Sequence, residues 1–135
     1  MRITTAMLAD AAQVQGGKLF VLGGGYDTIN TRKFPVVHRS LALVLVAEIE
    51  PDERHRDLEI QIELIDEDGH PAGIEAKGKL RVGAPPNLPP GASSVVPMVS
   101  PFANVKFESP KGYTFIVRFE GDELTRVPFR VVQVQ

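Results

Sequence analysis

The sequence predicts an all-β protein, an antiparallel β-sandwich of about 7–9 strands with an immunoglobulin-like or C2-like arrangement. Three observations lead there. Asp57 to Leu64 alternates polar and apolar residues without a break, and Tyr113 to Glu120 nearly repeats the pattern. Successive strand side chains point to opposite faces, so this period of two gives a sheet one dry face and one wet face. Short runs of this kind are punctuated by Gly16-Gly17, Gly69 and Gly121, residues suited to tight reversals.

The elements follow in order. Arg2 to Val14 is pulled two ways. Ala6, Leu8, Ala9, Ala11, Ala12 and Gln13 favour helix by propensity. Ile3, Thr4 and Thr5 are β-branched, and Gln15-Gly16-Gly17 leads straight into Lys18 to Leu22, which is a hairpin signal. A strand bent near Asp10 is the expectation. Gly23-Gly24-Gly25 should end the second strand, and Tyr26 to Asn30 form a short third. Phe34-Pro35 reads as a turn or edge, because proline removes a ladder donor. Val36 to Ile49 is the longest apolar stretch and Pro51 to Arg56 a charged loop. Leu58 to Ile65 is the cleanest strand, Glu67 to His70 a tight turn, and Ile74 to Val82 a strand with its cations on one side. Ala84 to Pro101 holds six prolines and reads as an irregular, extended loop. Phe102 to Phe107, Tyr113 to Phe119 and Leu124 to Val134 complete the sheets, joined by turns at Ser109 to Gly112 and Gly121-Asp122.

All 135 residues fit one domain, residues 1–135, with a core large enough to need no staple. There is no cysteine, hence no disulfide or thiolate site. A net charge of −2 argues against nucleic-acid binding, which uses a basic stripe. The first ten residues lack a leader's apolar core, and the longest apolar run, Leu41 to Ala47, is far short of a membrane span. A cytoplasmic protein without membrane attachment is expected, and no cofactor is implied.

Motifs that carry chemistry are weak here. Gly23-Gly24-Gly25 lacks the G-x-G-x-x-G spacing and a following helix, so it reads as a bulge rather than a dinucleotide loop. Gly17-Lys18 is followed by Leu19 where a magnesium-binding hydroxyl should stand. His38 and Ser40 share a strand face, the spacing of a base and a nucleophile, but no orienting carboxylate lies nearby. Acidic residues gather around Asp52, Asp66 to Asp68 and Glu120 to Glu123. Strict up-and-down order would bring the first and last groups to one end, where calcium could bind, although ligand spacing is missing.

Leu41 to Ala47 is apolar on both faces. Leu41, Leu43 and Leu45 can fill the core, leaving Val44 and Val46 to point outward. With Leu88, Val95, Val96 and Met98 of the proline tract they form the expected contact surface. A homodimer covering Val44, Val46 or part of residues 88–99 is expected over a loop folded back on its own sheet.

Leu8-Ala9-Asp10-Ala11-Ala12-Gln13, the Gly17-Lys18-Leu19-Phe20-Val21-Leu22-Gly23-Gly24 run, the Phe34-Pro35 pair and the final hairpin from Gly112 to Val131 resemble a family of short, uncharacterised bacterial proteins. The resemblance covers most of the chain and implies a bacterial cytoplasmic domain of unassigned function, with no active-site residues to carry over. The expected function is therefore a non-catalytic binding or structural module, not an enzyme, acting on an unidentified protein partner. A small-ligand or calcium-binding sandwich that uses the loops at one end is the alternative.

Overall fold

A computed structural model describes all 135 residues. Nine strands form two packed sheets, and the only helix is one turn at Pro51–Glu53. The first sheet joins β2 (Lys18–Tyr26), β1 (Arg2–Gln15), β4 (Val36–Ile49) and β7 (Ser94–Phe107), in that order. The second joins β3 (Thr28–Thr31), β9 (Asp122–Gln133), β8 (Lys111–Phe119), β5 (Asp57–Asp66) and β6 (Pro71–Arg81). No helix is long and apolar enough to cross a membrane.

The alternation acts as expected. Leu58, Ile62 and Leu64 are buried, as are Tyr113, Phe115 and Val117. Leu41, Leu43 and Leu45 of the first sheet share one core cluster with Ile62, Leu64, Tyr113, Phe115 and Val117. An aromatic cluster ties the layers. Phe102 of β7 stacks on Phe115 at 5.5 Å between ring centres, and Phe107 meets Tyr113 at 4.9 Å. Phe129 lies 5.7 Å from Tyr113 and 5.8 Å from Phe115. Such pairs add about 0.5–1.5 kcal/mol each beyond the area they bury.

Several details differ from the expectation. The proline tract is shorter, because β7 already begins at Ser94 and takes in Pro97 and Pro101. β7 is an edge strand, where a missing N–H costs no ladder bond if it faces outward. Pro128 lies inside β9, but β3 joins β9 only from Arg130 on, so β9 has one neighbour at the proline. The sandwich is not wholly antiparallel: β3 runs parallel to β9. The Ser109-Pro110 stretch is no hairpin but an arch that carries the chain from the first sheet to the second. Gly23 to Gly25 do not end β2, which continues to Tyr26.

The two-residue turns suit their residues. Gly16 (φ +59°) and Gly17 (φ +72°) occupy the left-handed conformation that a tight hairpin requires. At the β5–β6 turn, an Asp66 Oδ1 atom accepts the backbone N–H groups of Asp68 and His70, both at 2.9 Å. Lys111 Nζ stands 3.8 Å from the other oxygen. The His70 N–H bond is the chief cause that holds the Asp66 carboxyl below its usual range.

Two expectations follow. Leu64→Ala should lower stability by about 2–5 kcal/mol in urea melts, because it opens a cavity in the core, whereas the exposed Glu59→Ala should cost under about 0.5 kcal/mol. Equal losses would mean that the register is misassigned. A depressed carboxyl contributes stability above its unfolded pKa and loses it as pH falls through the folded value. The deficit of Asp66→Asn relative to wild type should therefore be constant near neutrality and shrink only below about pH 4. A deficit that persists unchanged into strong acid would place the effect outside the charge.

Candidate interaction surface

The first sheet forks. β1 pairs with β4 as far as Ala9, opposite Ala42. Beyond that point the last tie is Ser40 Oγ, which donates to the Asp10 carbonyl at 2.7 Å. From Ala11 to Gln15, β1 pairs with β2 alone. The register slips between Leu8 and Ala9, and Gly23 and Gly25 have φ of +61° and +84°. These irregularities bend the ribbon where it leaves the sheet. A side chain at Gly23 would both strain the backbone and run into the Asp10 carboxylate.

What leaves the sheet is a two-stranded arm, apolar on both faces. Ala11 and Gln13 sit opposite Leu22 and Phe20 on one face, and Ala12 and Val14 opposite Val21 and Leu19 on the other. Leu22 is 72% exposed and Phe20 51%. Val14 and Val21 are exposed as well. Ala11, Gln13, Phe20 and Leu22 help to line a shallow depression of about 250 Å³. From Ala11 to Tyr26 the only charged residue is Lys18. An isolated two-stranded ribbon is marginal in water, and apolar side chains gathered on one exposed element mark a contact site.

The surface expected from the sequence does not assemble. Val44 does point away from the main core, but it is fully buried in a second cluster with Ala9 and Ala42, covered by Met7, Ala12, Leu19 and Val99. Two residues of the arm, Ala12 and Leu19, provide much of this cover, so Val44 is not available to a partner. Val46 is half-buried. Met98 packs against the main core, and Leu88 and Val96 are half-buried. Val95 alone is well exposed, at 64%. Phe20, Val21 and Leu22 are exposed instead, in a run expected only to form the second strand. Their signal was available: Leu19 to Leu22 is apolar at every position, like the Leu41 run, but only one of the two runs can lie in mid-sheet.

The chemical candidates stay apart. Ser40 Oγ is engaged with the Asp10 carbonyl rather than with His38, whose buried Nε2 has no partner. Gly17-Lys18 is a hairpin corner and Gly23 to Gly25 a bulge. Burial first, and then the Asp10 charge, push the Tyr26 hydroxyl up to about 12, so it stays protonated. The acidic turns are occupied locally. Glu53 pairs with the Met1 amino group, and hydrogen bonds from it and from Glu50 N–H outweigh burial and keep its carboxyl lowered. Arg126 holds Glu123 at 2.9 Å, and Arg81 faces Asp57 at 3.9 Å. Ligand atoms of Asp66, Asp68 and His70 lie within 4.8 Å of one another, but Asp66 is committed to the turn and to Lys111.

No curated protein matches the chain. Among solved structures it is similar to part of a β-glucuronidase from glycoside hydrolase family 2, at 11% identity and a TM-score of 0.39 over 74% of this chain. It is also similar to part of the Pseudomonas fluorescens alkylpurine DNA glycosylase AlkC bound to DNA containing an abasic site analog, at 17% identity and a TM-score of 0.43 over 78% of this chain. The chain spans 11% and 27% of the length of those two proteins. Residues 4–132 match a family without an assigned activity, and the chain belongs to it: the Family of unknown function (DUF6941).

Proposed function

We propose that the chain is a non-catalytic binding module that acts through protein–protein contacts, and that the β1–β2 arm makes them. The carrying observation is the exposure of Phe20 and Leu22 on a ribbon that is apolar on both faces. Aromatic residues such as Phe20 are enriched at protein interfaces, where a few anchors supply most of the energy. The scattered titratable groups support the non-catalytic half of the reading. A nucleophile and its base must lie within hydrogen-bond reach, and Ser40 and His38 make no such bond. The outer face of the second sheet offers a contrast. It carries the Glu63–Arg118 pair at 2.8 Å and the Glu123–Arg126 pair, which keep it wet.

Site-directed photo-crosslinking in the native host tests the reading. A photoreactive residue in place of Leu22 should give discrete protein adducts, and one in place of Gln61, on the second sheet's outer face, should give none. Adducts that form equally at both positions, or at Gln61 alone, would remove the arm as the contact surface. No adduct at Leu22 would remove it as well.

A further inference from the structure

We infer that the arm's partner is a second copy of this chain, joined to it by antiparallel pairing of the two β2 edges about a two-fold axis at Phe20. The inference rests on the reading of the arm as a contact surface and names its occupant.

The exposed area is larger than that of a compact chain of this mass. A compact monomer of 14.7 kDa exposes about 6,900 Å². This chain exposes 8027 Å², about 1,100 Å² more. One partner in a standard interface contributes about 800 Å². The excess surface is therefore of the size that one specific interface covers, and the arm supplies its apolar centre.

The four outermost strands of the two sheets are unequally protected. Unpaired edges invite pairing, and proteins blunt them with shortness, charge or proline. β3 is only four residues long. β6 begins with Pro71 and carries Glu75, Lys77, Lys79 and Arg81. β7 contains Pro97 and Pro101. From Lys18 to Leu22, β2 has none of these protections past its first residue.

Gln15 and Lys18 flank a two-residue turn, so they form a hydrogen-bonded pair, and the pairs alternate from there. Lys18, Phe20 and Leu22 then direct their backbone groups to β1, while Leu19 and Val21 direct theirs outward. Beyond Leu22 the positive φ of Gly23 bends the edge away, leaving Lys18 to Leu22 as the pairing segment. A two-fold axis at Phe20 matches that segment to itself. Leu19 of each copy exchanges hydrogen bonds with Val21 of the other. The two Phe20 side chains meet at the centre, at a non-hydrogen-bonded site where side chains approach most closely. Lys18 lies opposite Leu22, so no like charges are apposed. The first sheets of the two copies become one continuous sheet of eight strands.

Sedimentation velocity on the purified chain tests this directly. Wild type should sediment at high micromolar concentration with twice the 14.7 kDa mass of one chain. Val21→Pro removes only the outward N–H and leaves the β1 ladder intact, so it should give a folded monomer. Phe20→Lys, which places like charges together at the axis, should do the same. Far-ultraviolet circular dichroism and thermal melting confirm that each variant is folded. A wild type that stays monomeric overturns the inference, as does a dimer that a folded Val21→Pro variant retains. Adducts at Leu22 to a different protein, with a monomeric wild type, would leave the arm as a contact surface and remove only the second copy.

Discussion

The aromatic cluster between the sheets is the interaction on which the rest depends. Phe102 and Phe107 come from β7, Tyr113 and Phe115 from β8, and Phe129 from β9. They sit on both sides of the arch at Ser109-Pro110, the point at which the chain changes sheet. The arch fixes how the two layers face each other, because Phe107 and Tyr113 are in contact across it. Once these rings are buried, the Leu41, Leu43 and Leu45 side of β4 has its cover, and β4 becomes the central strand onto which β1 pairs.

That arrangement also explains why the arm stands apart. β1 is needed in the first sheet only as far as Leu8 in the main core and Ala9 in the outer cluster. Past Asp10 the ribbon no longer pairs with β4, and the bulge at Gly25 turns it so that Ala12 and Leu19 pack over the outer cluster while its other face stays open. The same residues that would strengthen a mid-sheet strand, Phe20, Val21 and Leu22, then meet solvent. Their exposure is the observation behind the proposed contact surface.

The sandwich was legible because alternation is a local signal: Leu58, Ile62 and Leu64 follow from their spacing alone. The range of about 7–9 strands and the Gly16-Gly17 hairpin were equally local. What escaped the sequence depends on which strands become neighbours. Val44 and Phe20 are alike as residues in apolar runs, yet one lies in mid-sheet under Met7 and Leu19 and the other on an edge. Strand order decides this, and no period within a run reports strand order. Proline misled for a related reason. Pro97 and Pro101 argue against a central strand, but β7 lies at the edge and admits them. Two of the acidic groups show the same limit, since the partners of Glu53 and Asp57 (Met1 and Arg81) lie far away along the chain.

The claim that joins fold to function is that the β2 edge between Lys18 and Leu22 is covered in the working protein. Amide hydrogen exchange across a concentration series reads that edge residue by residue. The Leu19 and Val21 amides should exchange quickly in dilute protein and become protected as concentration rises, while the Phe20 amide, bonded to β1, stays unchanged. Rapid exchange of Leu19 and Val21 at every concentration would contradict the account.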